Sequence, residues 1–97
     1  MPVKKDDFAR AAIRKGFCEK RSGHHIYYRY ETPGGRLSPY IHTHISHGGG
    51  NALSDALLSE MTHQMKFDKK ADLMAFIDCT FSKEKYLVHL KTKGLIE

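Results

Sequence analysis

Eight residues, His24-His25-Ile26-Tyr27-Tyr28-Arg29-Tyr30-Glu31, stand between Gly23 and the turn sequence Thr32-Pro33-Gly34-Gly35. The run is short and aromatic, which favours a pleated strand over a helix. Ahead of it, Phe17, Glu19 and Arg21 alternate with Cys18, Lys20 and Ser22 until Gly23 interrupts the pattern. Behind it, proline presets its own backbone for a turn and glycine supplies the positive φ that turns need. Two such interruptions predict three antiparallel strands, the last running from Arg36 to about Ser46. Pro39, near its start, donates no ladder hydrogen bond and so implies an edge or a bulge.

Helices are expected before and after these strands in the sequence. Asp6 or Asp7 can cap one that runs to about Lys15, with Phe8, Ala11 and Ala12 on one side and Gly16 closing it in a left-handed conformation. After the third strand, His47-Gly48-Gly49-Gly50-Asn51 forms a hinge; it lacks the Gly-Lys-Ser/Thr ending of a phosphate loop. Leu53, Leu57, Leu58, Met61 and Met65 then recur at helical spacing and predict an amphipathic helix over about residues 52 to 66, its methionines in the core. Asp68 is expected to cap a third helix, with Leu73, Phe76 and Ile77 inward. Ser82 is expected to cap a fourth, with Tyr86, Leu87 and Leu90 inward and Gly94 at its end. The fold class is therefore α+β: a three-stranded antiparallel sheet with helices on one face, in the order α-β-β-β-α over residues 1-66, and a helical extension packed on it over residues 67-97.

Composition narrows what such a unit can do. A chain of 97 residues, 40% hydrophobic and 28% charged with a mean hydropathy of -0.53, suits one soluble domain and not a multidomain enzyme. Its longest apolar run, Leu73-Met74-Ala75-Phe76-Ile77, is far short of the ~20 residues a membrane span needs, so no membrane partner is expected. The charged start, with no apolar region following, reads as lacking a secretory signal. Cys18 and Cys79 show no close pairing motif and read as reduced thiols of a cytoplasmic protein. The net charge of +5 lies wholly in residues 1 to 50, where nine lysines and arginines face four acids; the remainder carries seven of each. Five of the seven histidines share the basic half, which points to a polyanion, with nucleic acid leading.

The richest chemical candidate is Lys20-Arg21-Ser22-Gly23-His24-His25. Histidine titrates near neutral pH and can move a proton both ways, while neighbouring cations stabilise charge on a phosphoryl group. These are the parts of a metal-independent ribonuclease. A second candidate is His42-Thr43-His44-Ile45-Ser46-His47, where His42 and His44 share a strand face and His47 could complete a metal site; ordinary exposed histidines are the expected outcome, with no metal or cofactor. Tyr27, Tyr28 and Tyr30 with Arg29 can stack on unpaired bases. Alternation puts Tyr28 and Tyr30 with Ile26 on the core side and leaves Tyr27 and Arg29 facing solvent. His24 falls on the core side by the same count, so Gly23 must bulge to turn it outward or His24 must lie at an uncovered sheet edge.

The helix ending in Lys15-Gly16-Phe17, the strand boundary Arg21-Ser22-Gly23-His24-His25-Ile26-Tyr27, the glycine-bearing hairpin, the third strand ending near His47-Gly48 and the following amphipathic helix resemble the HicA-type mRNA interferase toxins, over about residues 5 to 66. That family writes Gly-Ser-His where this chain has Ser22-Gly23-His24, and its minimal members have no counterpart of residues 67 to 97. The resemblance implies a fold like the double-stranded-RNA-binding domain, metal-independent endoribonuclease activity on mRNA, and a HicB-like antitoxin partner. By position it implies His24 as the catalytic residue. Lys20, Arg21, Ser22, His25 and Arg29 are the candidate RNA contacts. The alternative is a non-catalytic module of the same fold that holds structured RNA by shape, through phosphate and 2′-hydroxyl contacts.

Overall fold

The structure, a computed structural model, describes residues 3–46, 50–78 and 80–96. Its elements are β1 (Val3–Lys4), α1 (Lys5–Arg14), β2 (Phe17–Ser22), β3 (His25–Glu31), β4 (Leu37–Ser46), β5 (Ala52–Leu53), α2 (Asp55–Gln64), α3 (Lys70–Ile77) and α4 (Lys83–Thr92). The three expected strands form one antiparallel sheet in the order β2-β3-β4. The order α1-β2-β3-β4-α2 is the expected α-β-β-β-α. No helix among the described residues is long and apolar enough to cross a membrane.

Two glycines shape the sheet. Gly16, at φ 103°, lets the chain leave α1 and start β2; a Cβ there would lie 3.2 Å from the Tyr30 ring. Its carbonyl accepts from the Glu31 amide at 2.7 Å, joining the start of β2 to the end of β3. Gly23, at φ 60°, and His24 form the two-residue turn between β2 and β3, with Ser22 opposite His25. Five residues separate β3 from β4; the Thr32 amide donates to the Arg36 carbonyl at 2.9 Å, and the Gly35 amide closes the turn on the Thr32 carbonyl at 2.8 Å, with the positive φ on Gly35.

Pro39 satisfies both of its sequence-based readings. β4 is an edge strand, and the β3–β4 ladder loses register between Arg29, opposite His42, and Glu31, opposite Leu37. The extra β4 residues bulge there, and the Ser38 hydroxyl accepts from the Tyr40 and Ile41 amides, so the missing proline donor disturbs no ladder bond.

One face of the sheet is covered. Phe17, Tyr28, Tyr30, Ile41, Thr43 and Ile45 are buried beneath Phe8, Ala11 and Ala12 of α1 and Leu58 and Met61 of α2. Phe8 meets Tyr28 edge to face at 5.2 Å, and the Thr43 hydroxyl donates to Gln64 Oε1 at 2.6 Å. The C-terminal helices share this core. Tyr86 of α4 is fully buried among Phe17, Tyr30, Phe67, Phe76 and Phe81, and its hydroxyl donates to the Met65 carbonyl at 2.8 Å. The buried Lys15 ammonium donates to the Phe76 and Phe81 carbonyls, fastening the end of α1 to both ends of the α3–α4 connection.

Several local expectations need correction. Ala52 and Leu53 belong to a strand, because β5 pairs with β1 and places Leu53 opposite Val3; α2 then starts at Asp55, where the Ser54 hydroxyl accepts from the Leu57 amide. The α1 and α3 caps are Lys4 and Lys69, without side-chain cap bonds. Asp68 does not cap α3, because its carboxylate pairs with Lys93 at the end of α4. Ser82 caps α4 as expected, accepting from the Lys85 amide at 3.1 Å.

Candidate nucleic-acid interface

The face of the sheet opposite the helices carries three cross-strand rows. Ser22, His25 and Ser46 form the row nearest the β2–β3 turn; Lys20, Tyr27 and His44 form the next; Cys18, Arg29 and His42 form the third. Antiparallel neighbours in register point to the same face, so these nine residues share one surface. Tyr27 is 42% exposed, whereas Tyr28, one residue on, is buried. The aromatic strand therefore divides as its alternation predicts.

Rings gather in the middle of this surface. His44 lies 5.6 Å from Tyr27 with the planes tilted by 36°, and His25 meets the His44 ring edge-on at 5.2 Å. Lys20 and Arg29 flank the group and make no ion pair among the described residues. The one carboxylate on this face, Glu31, accepts from the Cys18 thiol at 3.4 Å. Desolvation, aided by that carboxylate, raises the Cys18 thiol above its ordinary range and so disfavours its thiolate.

The candidate RNA contacts do not all fall together. Lys20, Ser22, His25 and Arg29 share the open face. Arg21 points to the other side, opposite Ile26, with its Nε 3.8 Å from Glu19. Glu19 also accepts from the Tyr28 hydroxyl at 2.9 Å, and burial with this carboxylate raises the Tyr28 phenol well above its usual range. The cation of Arg21 is thereby turned to a local network behind the sheet. His24 stands exposed at the hairpin tip, because the two-residue turn removes it from the strand alternation altogether. A turn, and neither a bulge nor an uncovered edge, resolves its position.

His42 and His44 share the open face as expected; His47, the proposed third ligand, lies outside the described residues, as does Cys79. Among the described residues no group of three or more histidines, cysteines or acids is gathered to hold a metal ion. The sequence reading missed that His42 and His44 join Tyr27 and Lys20 on one surface. The signal was present in the two turns, which set strand register, together with the alternation of each strand. In comparisons with family models, curated proteins and solved structures, the chain finds no match.

Proposed function

We propose that the protein binds single-stranded RNA across the open face of its β-sheet. The observation that carries this reading is the central row, Lys20, Tyr27 and His44, in which the Tyr27 and His44 rings lie 5.6 Å apart beside the Lys20 cation, with Arg29 in the next row and neither cation in an ion pair among the described residues. Unpaired bases expose π-faces that stack on such rings, and cations beside them meet the phosphates. Ser22 and Ser46 add hydroxyls that can pair with a ribose 2′-hydroxyl. The concentration of the +5 charge in the first half of the sequence, and the resemblance to the HicA-type toxins with their double-stranded-RNA-binding-domain-like fold, favour RNA over other polyanions.

A second reading, metal-independent RNA cleavage, rests on the place of His24. It projects from the hairpin tip directly between Ser22 and His25, the end row of the proposed RNA surface. An RNA strand passing this row would bring a 2′-hydroxyl within reach of the imidazole. His24 would take that proton as the 2′-oxygen attacks phosphorus; the bond to the 5′-oxygen breaks, the leaving oxygen is protonated by His25 or water, and a 2′,3′-cyclic phosphate forms. In a toxin of this type, an antitoxin partner would have to cover the same surface.

Anisotropy titration of a labelled single-stranded RNA tests the first reading: affinity should fall with salt at a slope of about -0.7 per phosphate neutralised. Binding that ignores salt would overturn it. Incubation with RNA in EDTA tests the second: wild type should yield fragments ending in cyclic phosphate and His24→Ala should yield none while binding as before. Intact RNA with the wild-type protein leaves binding as the function and removes cleavage.

A further inference from the structure

At the far end of β3 from His24, the β3–β4 turn faces α4 across a groove. Two cavities, of about 410 and 600 Å³, adjoin there and share Thr32 and Pro33 as a common wall. One side of α4 runs along both: Lys83 and Leu87 line the first, and Lys91, one further turn along, lines the second. The groove retains apolar surface that the fold leaves uncovered, with Ile13 54%, Leu37 47% and Tyr40 68% exposed, and with Leu95 and Ile96 half-buried at its floor.

Three cations rim this apolar floor: Lys83, Lys91 and Arg36. None of them has an ion-pair partner among the described residues. Glu31 is the one acid lining either cavity, and it is engaged by Cys18. Lys83 also sits in the first turn of α4, where the helix dipole disfavours a cation, so its position is not explained by helix stability. Exposed apolar surface bordered by uncompensated charge of one sign marks an interaction site for the opposite sign.

We infer that this groove docks an acidic segment of another protein, with apolar side chains seated over Leu87 and carboxylates meeting Lys83, Lys91 and Arg36. Lys83 and Lys91 are eight helical residues apart, roughly 12 Å. An extended peptide covers that distance in about four residues, so the fitting ligand carries acids spaced three to four apart around an apolar residue. A second copy of the chain does not supply this in extended form: its acids at that spacing, Asp68 and Asp72, enter the first turn of α3, with Asp68 paired to Lys93. A bilayer is flat and cannot reach the floor of a concave groove. The groove meets the open face of the sheet at Cys18 and Glu31, and its cations are not those of the proposed RNA surface, so the inference does not depend on that reading.

Selection of random twelve-residue peptides, displayed on phage, against the full chain tests the inference. Selected peptides should carry the predicted acid spacing around Leu, Ile, Met or Phe. As synthetic peptides they should bind Lys83→Glu/Lys91→Glu at least about tenfold more weakly, and Lys20→Ala/Arg29→Ala as tightly as wild type. All the changed side chains are exposed, and unchanged melting curves verify the fold. The inference is overturned if no peptide is selected, if selected peptides lack acids, if their binding survives the groove reversal, or if RNA or the open-face variant abolishes it. Self-association or anionic-vesicle binding lost in the groove variant, without peptide binding, would likewise overturn it in favour of a second copy or a membrane.

Discussion

The two faces of one three-stranded sheet, built from alternate residues of the same strands, have opposite characters. The covered face holds Phe17, Tyr28, Tyr30, Ile41, Thr43 and Ile45, all buried; the open face holds Lys20, Ser22, His25, Tyr27, Arg29, His42 and His44. Tyrosine occurs on both, so residue type alone does not decide its use. Tyr28 contributes burial and a hydrogen bond to Glu19, while Tyr27 contributes an exposed ring beside His44. Burial therefore resides in one parity of the strands and the proposed recognition surface in the other, which makes the two separable by mutation.

The largest expected loss comes from the covered side, where the tail enters the core. Tyr86→Ala removes a fully buried ring that touches the sheet and both C-terminal connections, and should cost about 3–5 kcal/mol in urea unfolding. Deleting residues 67–97 strips Leu73, Phe76, Phe81, Tyr86 and Leu90 from the same cluster and should abolish cooperative melting. A truncated chain that melts like the full one would show that the sheet and first two helices stand alone.

Smaller effects sharpen the comparison. Tyr28→Phe keeps the ring but removes the donor to Glu19, and should cost about 1 kcal/mol by urea unfolding. Ser82→Ala, which leaves the Lys85 amide without its cap acceptor, should cost about the same. Asp68→Asn should lower the melting temperature slightly at neutral pH. The hydrogen bond from Lys93 holds the Asp68 carboxyl below its usual range, so its contribution is present above the ordinary carboxylate value and is lost as pH falls through the depressed folded value. The variant and wild type should converge on acidification below about pH 4. On the open face, Lys20→Ala and Tyr27→Ala should stay within about 0.5 kcal/mol of wild type, since both side chains are exposed.

Much of this division was legible in sequence because a strand's period is two: Tyr27 and Arg29 fall outward and Tyr28 and Tyr30 inward without knowledge of any neighbour. What lies beside Tyr27 was harder to read. His44 reaches it only through the register set by the β3–β4 turn and the bulge around Pro39, which are tertiary facts. The same limit applies to Arg21, whose cation could be assigned to RNA until its strand parity and Glu19 were considered together. Long-range partners left no local signal. Asp68 looks like a cap, yet pairs with Lys93; α2 ends through Lys66 at φ 67°, a left-handed position without glycine or asparagine, with its carbonyl 2.7 Å from His89 Nε2. β1 and β5, two residues each, are too short to show a periodicity.

The central claim is that the open face binds single-stranded RNA. Its most direct test is anisotropy titration of a labelled single-stranded RNA against the triple variant Lys20→Ala/Tyr27→Ala/Arg29→Ala, with thermal melting run in parallel. One lost stacking ring and two lost phosphate contacts should weaken binding by about thirtyfold or more while the melting temperature holds. Wild-type affinity in the triple variant, with the fold intact, would contradict the account.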